Sequence, residues 1–364
     1  MAQHKYPSPL VVGLALFSMF FGSGNLIFPL MLGAKYEGYF YICALGFTIT
    51  AVLLPTLGIM AMLPAQGHYE KLFEQLLPKR ISRWFFFIAL VAWIPLGSGP
   101  RCVLLAYASI KTYIPTLPHI WIFSLFFLAI VYFSLINRHR VIDFLGKILT
   151  PILLITIFAM IISSLITGGS LEIPEESPGK IFLNSLVDGY YTQDLIAAIF
   201  FSSALVTMIY KNTGSMRTAL QKTWQGGLIA VALLALLYGA LMASSAIHGE
   251  ELAGLSGEQL VSKLAHITLG STFGGISSVA VSLACLTTEI ALVLVFADFL
   301  TEHLPHKHSR QACLLITLAL IFLMSLLPFE GIMAVVAPAM QAIYPILFLL
   351  VLRTLWRARK SLAH

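Results

Sequence analysis

Apolar stretches of about 20 residues or more recur along the whole chain, separated by short polar connections. About 20 such residues are enough to cross a bilayer as a helix. None of the stretches alternates polar and apolar positions as the strands of a membrane barrel do. The pattern predicts ten helices, near 8–34, 38–63, 82–110, 119–137, 141–168, 180–210, 223–247, 270–300, 311–328 and 331–352. Spans of 26 residues or more exceed what a crossing requires, so they either tilt or are interrupted.

Composition narrows the class. Of 364 residues 59% are hydrophobic and 10% charged, against roughly 25% charged in a soluble protein. The chain is therefore expected to be an all-α polytopic membrane protein, with residues 1–364 forming one transmembrane domain. The net charge of +6 could point to nucleic acid, but its distribution argues against such a partner. Seventeen of the 22 lysines and arginines lie at the N-terminus, in every second loop and in the tail: Lys5; Lys71, Lys79, Arg80 and Arg83; Arg138, Arg140 and Lys147; Lys211, Arg217 and Lys222; Lys307 and Arg310; Arg353, Arg357, Arg359 and Lys360. The opposite loops hold Lys35, Lys111, Lys180 and Lys263. Basic loops stay cytoplasmic, which places both termini in the cytoplasm and agrees with an even number of spans. The first span is too long for a secretory signal, and no small-residue cleavage site closes it.

Candidate chemistry is sparse. Cys43, Cys102, Cys285 and Cys313 all fall in apolar segments without a C-x-x-C, so buried thiols are expected rather than disulfides or a metal site. No H-E-x-x-H, G-x-S-x-G or Walker motif occurs, which argues against an enzyme and against direct drive by ATP. The tract "EHLPHKH" (302–308) resembles a metal-binding run but reads better as a basic loop.

The informative stretches are two. "FFGSGNLIFP" (20–29) puts Gly22, Ser23, Gly24 and Asn25 in the middle of the first span, and "LVDGYYTQDL" (186–195) puts a polar, glycine-containing patch in the sixth. Unwinding there would free backbone N–H and C=O groups in hydrocarbon, tolerated only where protein or a polar ligand satisfies them. The start of an outer half-helix offers N–H donors suited to a carboxylate, and the end of an inner half-helix offers carbonyls suited to Na⁺ or an ammonium. Each stretch has a plainer reading: a close helix contact through small residues for the first, a loop at the outer surface for the second. Their matching places in two five-helix halves favour a transporter site.

Four charged residues sit deep in spans: Arg101, Asp188, Asp194 and Glu289. Such charges usually face a cavity or one another. Arg101 is read as one half of a gate with Asp188 or Asp194, or otherwise as a structural ion pair or a snorkelling side chain. Thr287 and Thr288 in "CLTTEIALV" (285–293) could supply oxygens to a small cation, or bond their own helix backbone.

These residues resemble the branched-chain amino acid:cation symporter family, the BrnQ-type carriers. The resemblance is carried by "ALFSMFFGSGNLIFPLMLG" (15–33), "GFTITAVLLPTLGI" (46–59), Pro100-Arg101, "DGYYTQDLIAAIFF" (188–201), "ACLTTEIAL" (284–292) and "IYPILFLLVL" (343–352). It implies the LeuT-like fold of the amino acid–polyamine–cation superfamily, with inverted repeats at about 8–168 and 180–352, discontinuous helices 1 and 6, and a cytoplasmic tail 353–364. By the resemblance, Gly22–Asn25 holds the substrate carboxylate, carbonyls near Phe20 and Phe21 face its amine, and Gly189, Tyr190 and Tyr191 complete the pocket. Sodium would lie between the carbonyls of Ser18 and Phe21 and the side chains of Thr287 and Thr288, and Asn25 resembles a ligand of a first sodium in some relatives. The implied activity is uptake of Leu, Ile or Val across the inner (cytoplasmic) membrane, with Na⁺ as coupling ion and no cofactor. Members usually carry about two further C-terminal helices, and Glu289 replaces a small or apolar residue. That acid could bring a proton into the coupling, pair with Arg101, or serve only as a structural carboxylate.

Overall fold

The computed structural model describes residues 8–22, 24–74, 77–136, 141–213, 216–303 and 309–363. Ser23, the basic residues Lys5, Arg138, Arg140 and Lys307, and most of the 302–308 tract lie outside the described residues. Among the described residues the elements are helical and no strand occurs. Five stretches are individually long and apolar enough to cross a membrane, and four shorter apolar helices accompany them.

The first span is α1 (Pro9–Phe20) and α2 (Gly24–Tyr36). The second is α3 (Phe40–Thr48) and α4 (Leu54–Met62), followed by the short α5 (Tyr69–Glu74). The third is α6 (Lys79–Trp93) and α7 (Gly99–Lys111). Then come α8 (Ile120–Ile136) and α9 (Val141–Thr167). The sixth span is α10 (Pro178–Tyr190) and α11 (Asp194–Thr213), and the seventh is α12 (Met216–Ile247). After α13 (Gly249–Leu252), α14 (Gly257–His303) runs into the eighth span through a break at Gly270, whose φ of 72° and ψ of −173° are not helical. The ninth and tenth spans are α15 (Arg310–Ser325) and α16 (Phe329–Ala363). The expected spans are thus recovered, with the first and sixth interrupted where the sequence places its glycine and polar residues.

Two features go beyond the sequence reading. The second and third spans each contain a π-turn, Ile49–Leu53 and Ile94–Ser98. Each precedes a proline, Pro55 or Pro100. Proline lacks an N–H and clashes with the carbonyl four residues back. The wider turn relieves this, and the N–H of the residue before each proline reaches five residues back, Leu54 to Ile49 and Gly99 to Ile94. In addition, residues 353–363, expected as a tail, continue α16. Val351, Thr354 and Ala358 keep a buried stripe at helical spacing between the arginines.

The helices form two packed groups. α1 and α2 lie along α12, α10 on α3, and α11 on α4, which gathers the first, second, sixth and seventh spans. α14 packs on α7, α9 and α15, and α8 on α15, which gathers the third, fourth, fifth, eighth and ninth. Small residues allow the close approaches inside the first group. A Cβ on Gly33 would lie 2.1 Å from Ser245 Oγ and 2.2 Å from the Met242 carbonyl oxygen. Gly33→Ala is therefore expected to lower stability by about 1–3 kcal/mol, read as thermal unfolding of the purified protein. Gly179→Ala, with nothing within 4 Å of the added carbon, should leave the transition in place.

Candidate substrate and ion site

Both interruptions end their helices with local turns. In the first span the N–H of Gly22 turns to the Phe20 carbonyl (3.1 Å) rather than to that of Ser18, and the N–H of Asn25 reaches the Gly22 carbonyl (3.1 Å). The Asn25 side chain bridges the break by donating from Nδ2 to the Phe20 carbonyl. In the sixth span the N–H groups of Tyr191 and Gln193 bond the carbonyls of Asp188 and Tyr190, both at 3.1 Å. Thr192 Oγ1 donates to the Gly189 carbonyl (2.9 Å). Gln193 holds φ at 67°, left-handed backbone that a non-glycine residue adopts only when its surroundings impose it.

Those surroundings come from the third span. Gln193 is fully buried; its Oε1 accepts from Ser98 Oγ (2.8 Å) and from an Arg101 guanidinium nitrogen (2.5 Å), and its Nε2 donates to the Ala92 carbonyl (3.3 Å). Gly97 makes the room, since a Cβ there would lie 2.5 Å from Gln193 Nε2. Arg101 is 1% exposed and also donates to the Tyr191 carbonyl (2.6 Å) and to Ser98 Oγ (3.1 Å), with its guanidinium 5.5 Å from the centre of the Phe28 ring. The two breaks converge here. A Cβ on Gly24 would lie 3.5 Å from the Thr192 carbonyl oxygen and 3.9 Å from an Arg101 nitrogen.

Beside this junction lies a cavity of about 60 Å³, lined by Phe20, Gly22, Gly24, Asn25, Thr192, Asp194 and Thr288, among others. Asn25 Oδ1 and Asp194 Oδ2 are buried without a hydrogen-bond partner among the described residues. Met19, Trp93 and Phe201 also line it, with the Trp93 and Phe201 rings edge to face at 5.2 Å.

The structure sorts the expected site residues. Phe20, Gly22, Gly24, Asn25, Asp194 and Thr288 meet at the cavity; Ser23 lies outside the described residues. The Phe20 carbonyl, expected to face an amine, is instead taken by Gly22 and Asn25. The Phe21 ring stacks on Phe17 at 5.8 Å, away from the cavity. Gly189 packs on Thr50, where a Cβ would lie 1.9 Å from Oγ1. The Tyr190 ring packs 4.7 Å from Tyr344, and the Tyr191 hydroxyl accepts from Gln341 Nε2 (2.7 Å). These three residues brace the break from behind. Thr287 donates to the Ala284 carbonyl (2.9 Å) on its own helix, and Thr288 faces the cavity.

The charged residues depart further from expectation. Arg101 makes no ion pair with Asp188 or Asp194 within 4 Å among the described residues, and its hydrogen-bond partners are a carbonyl, an amide and a hydroxyl. Asp194 lies beside Asn25 and Thr192, with Arg101 near enough for the two charges to act on each other without an ion pair within 4 Å. The cation facing Asp188 is Lys35. Glu289 is fully buried and lies against Cys102, with Oε1 3.1 Å from where a Cβ on Gly99 would be. One helix position separates it from Thr288, and that turn of about 100° points it into the third span rather than the cavity. Ser98, Gln193 and Trp93 are the residues sequence reasoning did not single out. Gln193 lies within the polar patch, but nothing in its type marks it as the link to Arg101.

The arrangement defines a LeuT-like transporter fold, and solved structures agree on that point. MhsT in complex with L-phenylalanine superposes with a TM-score of 0.61 at 18% identity, over 95% of this chain and 88% of that one. Inward-facing Mhp1 gives 0.56 at 14% identity, over 93% and 77%. The chain belongs to the branched-chain amino acid transport protein family, whose description matches residues 5–362. Among relatives, a branched-chain amino acid carrier protein of Staphylococcus saprophyticus is 31% identical, over 92% of this chain and 79% of its own. A homologous carrier protein of Staphylococcus aureus is also 31% identical, over 94% and 80%.

Because the hydrogen bonds of Arg101 go to neutral oxygens, exchanging charges between Arg101 and Asp194 should not restore transport lost in either single variant. Arg101→Lys keeps the charge but loses the planar fork. It should cut transport of a labelled branched-chain amino acid about tenfold or more, the effect of about 1.4 kcal/mol, at unchanged protein level.

Proposed function

We propose that this chain is a secondary carrier that brings leucine, isoleucine or valine into the cytoplasm together with Na⁺, by alternating access. The observation that carries the reading is the meeting of two helix breaks at one buried cavity that keeps unpartnered oxygens on Asn25 and Asp194. Family membership supplies the substrate class.

The substrate carboxylate would take N–H donors at the start of α2, near Gly24 and Asn25. Asp194 would provide the negative charge for the amine or for a cation. The sodium would sit between the Ser18 carbonyl, which Gly22 leaves for Phe20, and Thr288. No cofactor is needed and no enzymatic step is involved. With both termini cytoplasmic, as the basic loops imply, Met19, Trp93 and Phe201 form the inner closure. The bundle of the first, second, sixth and seventh spans would rock against the other spans. Substrate and ion can shift that equilibrium only through their different affinities for its two states. An inner-negative potential contributes about 2.3 kcal/mol per 100 mV for each charge carried inward. A proton-coupled carrier is the second reading, favoured by the unpartnered Asp194 oxygen in the cavity itself.

Labelled leucine uptake into proteoliposomes, with sodium and proton gradients imposed separately, tests the proposal. Accumulation should follow the sodium gradient and saturate. A proton gradient that drives it alone would select the second reading, and no accumulation under either gradient would end both. Thr288→Ala should raise the sodium concentration for half-maximal uptake about tenfold or more, from the loss of one ligand. Thr287→Ala, which removes only a hydroxyl bound to its own helix, should change it little.

A further inference from the structure

A second cavity, of about 550 Å³, opens beside the end of α7, lined also by the first turns of α14 and by the connection from α15 to α16. No residue of the two broken spans lines it, so it stands apart from the site described above. Its volume lies in the range of small-molecule sites. Its walls are tied together by Thr112 Oγ1 donating to Ser262 Oγ at 2.8 Å.

Charges of both signs face this space. Glu258 is only 9% exposed, and its Oε2 is buried with no hydrogen-bond partner among the described residues. Lys111 and Lys263 line the same cavity. Lys111 Nζ spends one donor on the Tyr107 hydroxyl (2.8 Å) and keeps others. Neither lysine pairs with Glu258 within 4 Å among the described residues. Glu330, at the start of α16, adds a second negative charge near Glu258. Leu104, Leu255 and Leu327 supply apolar wall. A buried carboxyl oxygen without a donor is costly, and an ammonium would relieve it.

We propose that this cavity binds a zwitterion carrying a primary ammonium beside an anionic oxygen group, with the ammonium on Glu258 and the anion on Lys111 and Lys263. Two molecules share that head chemistry: a free α-amino acid and an ethanolamine phospholipid. The transport reading enters only in the choice of leucine as the first amino acid probe.

The test uses the full chain, in phospholipid-free detergent and in phosphatidylcholine nanodiscs with and without phosphatidylethanolamine. Labelled L-leucine binding and retained phosphatidylethanolamine are measured for wild type, Glu258→Gln, Lys263→Gln and Asn25→Ala. For an amino acid occupant, two leucine components are expected in detergent. One is lost in Asn25→Ala, and the other weakens about tenfold or more in Glu258→Gln, as expected for a charge-assisted bond. For a lipid occupant, one leucine binds per chain, and retained phosphatidylethanolamine falls by a similar factor in Glu258→Gln and Lys263→Gln. Lys263→Gln decides if Glu258→Gln does not yield folded protein. One leucine per chain with equal lipid retention in wild type and the charge variants overturns the proposal. A wild type that shows the Glu258-dependent component but none that depends on Asn25 would count against the transport reading and leave this one standing.

Discussion

In hydrocarbon no water is available to the main chain, so each peptide group must find its partner within the protein. This constraint accounts for most of the architecture. Among the described residues the spans other than the first and sixth keep a helical backbone, with π-turns in the second and third and a glycine break where α14 enters the eighth. The first and sixth give it up over two or three residues, and every element near those points is arranged around the groups set free. Asn25 takes the Phe20 carbonyl, Arg101 the Tyr191 carbonyl, and Tyr344 accepts from the N–H of Leu195 (3.3 Å). Beside them, Phe20, Gly22, Gly24, Asn25 and Asp194 line one small cavity.

The division of labour around the sixth-span break follows from that. Its backbone is fixed in a left-handed turn at Gln193 by contacts from the third span, through Ser98, Arg101 and the space left by Gly97. The sixth and third spans belong to the two different packed groups. Arg101 and Gln193 therefore form a polar clasp between bodies that would move relative to each other, made from one guanidinium and neutral oxygens. Such a clasp can open at lower electrostatic cost than a buried ion pair, because no carboxylate is left stranded when it does.

Much of this was legible in the sequence, and the reason it stopped where it did is physical. Hydropathy marks ten spans because the bilayer imposes a length, and Gly22, Gly24 and the 188–194 patch mark the breaks because helix interiors disfavour those residues. The direction of a side chain on a helix is harder to read. Thr287 and Thr288 are equivalent as residue types, yet one turns to its own backbone and the other to the cavity. Charge alone suggested that Arg101 seeks an acid, whereas the nearest acceptors are oxygens of Tyr191, Gln193 and Ser98. Carbonyls and amides carry no signature in a sequence until the fold aims them. The helical continuation past residue 352 escaped for a related reason, since arginines dominate its composition and the buried stripe beneath them is narrow.

The size of the central cavity gives the remaining step. About 60 Å³ is far below the roughly 300 Å³ at which small-molecule pockets begin. A branched aliphatic amino acid can enter only if the surrounding side chains withdraw. The walls include Met19, Trp93 and Phe201, contributed by α1, α6 and α11, and α6 continues through its π-turn into α7 of the other packed group. Separating the groups enlarges the cavity and breaks aromatic contacts, and closing them restores apolar burial at about 25 cal/mol per Å². Closure without substrate would leave Asn25 Oδ1 and Asp194 Oδ2 buried and unpaired, which opposes that gain. An empty site would thus be pulled both ways, and a ligand that satisfied those oxygens would tip the balance toward closure. The same unpartnered atoms that mark the site would in this way couple its occupancy to the movement of the two halves.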